Sequence, residues 1–286
     1  LTKTSGDVAQ KAKIDTGVTA TVEKDKEFTI AEGCELTIAS GATLTVAGSL
    51  TNDGTITGAG KEVTGIVLDN GDTTENVAGI TMGSDSTIKD ITIGYGDTYS
   101  AQNDDGWAYN LYIPEAATGT VTVEGVATKF SDMSSADKCT GYRAAIEIES
   151  SDMNVVVRNS NLEAKYTILV RGGNDKVTVT NTELKGWSNL TNTMGSGNRV
   201  NFTGCTLTAI NNFNDSKQNT YGMFTFDRNK NAATTTTVSA AVTVEDCTLT
   251  ITQKGTAYQS IVHESKLADY SGTSVTIEGF FNCFRE

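Results

Sequence analysis

The chain has 286 residues, a formal net charge of −13 and a pI near 4.6. That balance argues against nucleic acid as a partner and against docking on an anionic membrane, and no apolar stretch approaches the roughly 18 residues of a membrane-crossing helix. Only 37% of residues are hydrophobic, low for a large globular core but enough where each coil of a repeat buries a few side chains.

Residues 1–27, which include "DVAQKAKIDTG", read as an N-terminal cap or flap, either a short helix or irregular chain. From Phe28 to Gly60 the chain repeats every eight residues at Phe28, Leu36 and Leu44, then every six at Leu44, Leu50 and Ile56. Short strands joined by glycine corners with almost no loop suit that rhythm.

A longer phrase follows: apolar, any, apolar, any, turn residue, any, any, apolar. It is written "STIKDITI" from Ser86, "VTVEGVAT" from Val121, "VVVRNSNL" from Val155 and "VTVTNTEL" from Val177. It returns as "VNFTGCTLT" from Val200, "VTVEDCTLT" from Val242 and "VTIEGFFN" from Val275. The second apolar positions, Ile88, Val123, Val157, Val179, Phe202, Val244 and Ile277, are 35, 34, 22, 23, 42 and 33 residues apart. The short period is 22 to 23, and the longer ones carry insertions in loops. Alternation of apolar and polar residues is the period of a strand with one buried face. The fifth position holds Asp90, Gly125, Asn159, Asn181, Gly204, Asp246 and Gly279, all residue types that accept a left-handed backbone.

A second strand phrase falls between the copies, "AIEIE" at Ala145, "TILVR" at Thr167, "SNLTN" at Ser188, "MFTFD" at Met223 and "SIVHE" at Ser260. Strand, corner, strand and return after a fixed interval predict the coils of a parallel β-solenoid. About ten coils at ~4.8 Å each give a single elongated domain, residues 28–286, on the order of 45 to 50 Å long. Cys205 and Cys247 share one position of the phrase. Stacking at ~4.8 Å permits a disulfide, yet in-register side chains point the same way, which favours two unbonded thiols in the interior. The five cysteines show no zinc spacing, and the single proline, Pro114, fits strands whose N–H groups are engaged.

The segment from Phe28 to Gly60 resembles the opening of right-handed parallel β-helix domains in bacterial secreted and surface-anchored, adhesin-like proteins. The later coil phrases are similar to those of the pectate-lyase-like superfamily. The resemblance implies an all-β, single-stranded right-handed parallel β-helix, exported by a bacterium to the cell surface or the medium. It leaves function open, because that architecture serves lyases, hydrolases, adhesins and tailspikes. Polygalacturonase-like members carry Gly-His-Gly and Arg-Ile-Lys elements that this chain lacks; its one histidine, His263, lies in "IVHES". The acidic calcium cluster and basic residue of pectate-lyase-like members have no match here either.

Candidate binding residues come from the insertions. "GYGDTYSAQNDDGWAYNLYI", from Gly94 to Ile113, gathers Tyr95, Tyr99, Trp107, Tyr109 and Tyr112 around Asp97, Asp104 and Asp105; "KGWSNLTNTMGSGN" and "NNFNDSKQNTYG" bring Trp187, Phe213 and Tyr221. Aromatic faces stack on sugar rings and carboxylates bind hydroxyls, so Trp107, Tyr109, Trp187 and Tyr221 are the glycan-binding candidates; packing onto the solenoid wall is the competing role. Asp104 and Asp105 form a weak calcium candidate without EF-hand spacing. Alignment of the second phrase predicts a row of Glu149, Arg171, Thr193 or its neighbour, Asp227 and Glu264, with Arg228 and His263 beside it. Carboxylates one or two coils apart would reach either glycosidase spacing. The expected function is therefore a non-catalytic, adhesin-like surface module binding a polysaccharide or host glycan. The alternative is a polysaccharide lyase or glycoside hydrolase using Asp227, Glu264, Arg171 and Arg228.

Overall fold

The computed structural model describes residues 10–69, 79–95, 107–129, 142–211, 222–226, 239–253, 262–264 and 274–285. These residues are organised as strands, and every pairing among them is parallel. The first coil consists of β1 (Lys11–Ile14), β2 (Thr19–Val22) and β3 (Glu27–Ile30); the second of β4 (Glu35–Ile38), β5 (Thr43–Val46) and β6 (Ser49–Asn52). The third contains β7 (Thr55–Thr57), β8 (Thr64–Leu68) and β9 (Ile80–Met82); the fourth, β10 (Thr87–Tyr95) and β11 (Trp107–Ile113); the fifth, β12 (Thr120–Thr128) and β13 (Tyr142–Ile148). Next come β14 (Asn154–Arg158) with β15 (Asn161–Val170), β16 (Lys176–Thr180) with β17 (Glu183–Thr193), and β18 (Arg199–Thr203) with β19 (Thr206–Asn211) and β20 (Phe224–Phe226). The last two coils hold β21 (Ala241–Gln253) with β22 (Val262–Glu264), and β23 (Ser274–Arg285).

Three ladders run along this stack. The first sheet takes β1, β4, β7, the leading halves of β10 and β12, β14, β16, β18 and the leading halves of β21 and β23. The second follows from β2 through β5, β8 and β19 to the trailing half of β23, and the third from β3 through β11, β13 and β15 to β22. Among the described residues these strands make a triangular tube of ten coils, the right-handed parallel β-helix that the repeat predicts.

The repeat anchors pair in the predicted order: Ile88 with Val123, then Val157, Val179, Phe202, Val244 and Ile277. From Ile88 to Val244 they are fully buried in one continuous core. The first coils are tight because Lys11 pairs with Glu35 and Glu35 with Thr55, so a turn is completed with almost no residues outside the three sides. This ladder starts at Lys11, inside the segment expected as a cap or flap. "KAKI" is a strand whose small inward Ala12 gave the periodicity little weight.

Asp90, Gly125, Asn159, Asn181, Gly204 and Asp246 all take positive φ, between 48° and 64°. Each turns the chain from the first sheet to the second. Gly279 departs from the pattern: the ladder slips between Glu245 and Cys247, and Gly279 pairs with Cys247 instead of Asp246.

The left-handed turn leaves the N–H of the following residue without a strand partner, and the next coil supplies one. Val126 donates to Ser160 Oγ at 3.1 Å, Ser160 to Thr182 Oγ1 at 3.3 Å, and Cys205 to Cys247 Sγ at 3.2 Å. Each acceptor in turn donates to the carbonyl two residues before itself, Ser160 to Arg158, Thr182 to Thr180 and Cys247 to Glu245. Cys205 and Cys247 are thus unbonded thiols filling a hydroxyl position, and burial pushes the Cys205 thiol up to about 11.

Candidate functional site

The third sheet differs from the other two on its outward side. A small second cluster of buried residues, Tyr109, Ala144, Tyr166 and Leu169, lies apart from the tube core, with Tyr112 and Met194 packed against it. The register sets Tyr112 beside Glu147, Glu147 beside Leu169, Leu169 beside Asn192 and Asn192 beside Thr225. Their neighbours in the chain, Leu111, Ile146 and Ile168, belong to the tube core, so the period of two sends this second column outward.

Arg171 closes the cluster. Its backbone N–H donates to Ile148 O at 2.8 Å, which places it one coil beyond Glu149, as the sequence predicts. Its Nε lies 3.1 Å from Glu147 Oε1 and its Nη1 3.3 Å from Glu149 Oε1. The Tyr112 hydroxyl donates to Glu149 Oε2 at 2.5 Å, and Tyr109 and Tyr112 stack with centroids 5.6 Å apart at 19°. Glu147 is fully buried, whereas Arg171 and Glu149 keep 22% and 33% of their side chains exposed.

Burial pushes Glu147 up to about 7, against the opposing Arg171 charge and Tyr109 hydroxyl and with help from Glu149. Tyr109 and Tyr112 are pushed above the ordinary tyrosine range, first by burial and then by these carboxylates. The Arg171 attraction is therefore weaker than the desolvation of Glu147, and that carboxyl titrates in the neutral range.

Trp187 is buried, donates through Nε1 to Glu163 Oε1 at 2.9 Å and has Lys185 Nζ 5.0 Å from its ring centroid. Its face and edge are engaged, and its partners Glu163 and Lys185 line, with Lys61 and Lys129, a cleft of about 140 Å³. Trp107 opens β11 opposite Tyr142. Tyr221, Asp104, Asp105, Asp227 and Arg228 lie outside the described residues. Among the described residues, no group of three or more His, Cys, Asp or Glu side chains is placed to hold a metal ion.

Glu264 corrects the predicted row. It pairs with Phe226, which pairs with Thr193, and so shares the register position of Ile148 and Val170, one residue short of Arg171. The ladder aligns "IVHES", not "SIVHE", with "MFTFD". A strand as short as β22 gives too little alternation to fix its register from sequence. Glu147 and Tyr112 are the functional candidates that the candidate set omitted. The signal for Glu147 is a carboxylate between two apolar residues in "AIEIE", on the outward phase.

No protein-family model and no curated protein sequence matches the chain. Among solved structures it is similar to endopolygalacturonase I from Stereum purpureum, determined in complex with two galacturonates. Identity is 16% and the TM-score 0.33, over 93% of this chain and 96% of that one. The assignment of this chain as a parallel β-helix stands on its own three ladders.

Proposed function

We propose that this chain is an exported, adhesin-like β-helix module that binds a polysaccharide on the outward side of its third sheet, at Tyr112, Glu149 and Arg171, without cleaving it. One observation carries the reading: a guanidinium and a carboxylate with exposed edges are locked in place by a buried carboxyl and a stacked tyrosine pair. Pre-positioned polar edges beside an aromatic face suit sugar hydroxyls and ring faces. Within the cluster the cation is balanced by its carboxylates, and the chain as a whole carries −13, so a neutral glycan is favoured over a polyanion. Surface display is supported by the resemblance of the coil repeat to secreted β-helix proteins.

A polysaccharide hydrolase or lyase is the second reading, favoured by the neutral-range titration of Glu147 beside Glu149. Against it, Glu147 is fully buried, and both carboxylates are gathered on one guanidinium instead of facing each other across room for a glycosidic bond.

Incubation with a panel of neutral and acidic polysaccharides, read by retention and by chromatography of products, separates the readings. Retention that Glu149→Gln and Tyr112→Phe weaken at least tenfold, with no shortened product, is the expected outcome. Products that vanish in Glu147→Gln establish the enzyme instead. Neither retention nor product would sink both.

A further inference from the structure

The corner that follows Arg171 holds a buried carboxyl whose surroundings are wrong for a carboxylate. Asp175 is 1% exposed. Its Oδ1 accepts the Met153 N–H at 2.9 Å, while its Oδ2 has no hydrogen-bond partner. One coil later the same position is Asn198, whose Oδ1 accepts the Asp175 N–H at 2.9 Å. The Asn198 amide nitrogen donates to Gly172 O at 2.8 Å and to Gly195 O at 3.0 Å. Asp175 and Asn198 thus make the same acceptor bond in successive coils. The second atom of the Asn198 amide faces the carbonyls of both coils.

The backbone around them repeats as well. A Cβ placed on Gly195 would lie 1.7 Å from Gly172 O, and one placed on Gly172 would lie 1.4 Å from Ser150 O. The Gly172 Cβ would also lie 2.8 Å from Asp175 Oδ2, so no more than the sum of those two distances separates Asp175 Oδ2 from Ser150 O. By the coil repeat, Asp175 Oδ2 stands where Asn198 has its donor. The carbonyl oxygen of Ser150 beside it is an acceptor, and a bare carboxylate oxygen there would be repelled.

We infer that Asp175 is held as the neutral carboxylic acid, its Oδ2 proton donating to the carbonyl of Ser150 in place of an asparagine N–H, and that loss of this proton loosens the corner on which Arg171 is mounted. The step is a proton transfer alone: carboxylic acid and water or buffer base give carboxylate and the protonated base. Burial pushes Asp175 up to about 7, with the like charge of Asp152 adding to it. Lys176 and Arg199, which follow the corner in its own and the next coil, are exposed, and Arg171 is engaged by Glu147 and Glu149. Because the folded carboxyl binds its proton more tightly than the unfolded one, the stability it supplies is complete below the ordinary aspartate range. It is lost as pH rises to about 7.

Thermal melts of the full chain from pH 5 to 8 test this, carried out in the Glu147→Gln background because Glu147 titrates over the same interval. The parent is expected to lose several degrees of Tm between pH 5 and 8. Asp175→Asn, which supplies a permanent donor, is expected to lose much less and to melt above the parent at pH 8. Equal losses in both would overturn the inference. So would rescue of the parent at pH 8 by calcium chloride, or by sodium in place of choline, because a bridging cation would then occupy the gap. If Asp175→Asn does not fold, infrared spectra of wild-type chain labelled with ¹³C-aspartate decide: a protonated aspartic acid band at pH 6 that fades by pH 8 is expected, and its absence at pH 6 would refute the assignment.

Discussion

The first and third sheets are stacked on the same coils yet present opposite outward faces. On the first, Thr55, Thr87, Thr122, Thr178 and Thr243 stand half-buried on the side away from the tube, and Arg158 meets Glu124 at 2.9 Å in water. Such an exposed pair contributes little, and the stability of that sheet comes from the valine and phenylalanine ladder behind it. On the third, the outward column of Glu147, Leu169, Asn192 and Thr225 is buried. The side-chain amide of Asn189 and the Oδ1 of Asn192 have no hydrogen-bond partner, an arrangement that costs stability. A sheet that only had to hold a solenoid together would not need it. On the reading proposed above, the first sheet is scaffold and the third is the face offered for recognition.

Core truncation on the first sheet gives the largest expected effect. Phe202→Ala removes a fully buried ring that stands between Val179 and Val244 and meets Phe224 at 5.9 Å. It should cost about 3 to 5 kcal/mol in denaturant unfolding. A loss below about 1 kcal/mol would mean that the interior is loosely packed and the contrast overstated.

Next comes Arg171→Met, which strands Glu147 without its cation at a loss of about 3 kcal/mol, the low end for a broken buried pair because the carboxyl can take up a proton. Glu147 is already held up near pH 7, so its protonated form relieves the stranding. The penalty should be full at pH 8 and shrink by pH 5, and adding Glu147→Gln should recover most of it. A penalty independent of pH would show that Arg171 acts by packing alone.

The smallest effect belongs to the corner between the first two sheets. Cys247→Val leaves the Cys205 N–H without its acceptor, at about 1 to 2 kcal/mol, whereas Cys247→Ser should be close to neutral. Equal losses in both variants would show that thiol packing matters more than the hydrogen bond.

Much of the scaffold was legible in the sequence because it depends on local demands. A residue such as Asn159 or Asn181 must accept positive φ, and Val157 or Val179 must face inward at a period of two; both requirements are written in the residue types. The candidate site was less legible, because its parts are set by register between coils. Arg171 follows Glu149 by one coil because "TILVR" and "AIEIE" align without a slip. Glu264 falls one residue out of that row, since three residues of strand leave the register open. Glu147 is hidden in the sequence because its phase marks it as outward, and nothing in a period of two tells that an outward carboxyl is buried beside a guanidinium.

Coil lengths vary while the ladder does not: Val156 to Thr178 is 22 residues, and Asn201 to Thr243 is 42. Under a pulling force each coil is a separate link, since its strands bond only to the coils on either side. Peeling the shorter link would release roughly 75 Å of contour and the longer roughly 145 Å, at ~3.5 Å per extended residue. The order of steps along a force trace would therefore spell out the insertions one by one, a mechanical barcode in which the scaffold sets the number of steps and the loops set their size.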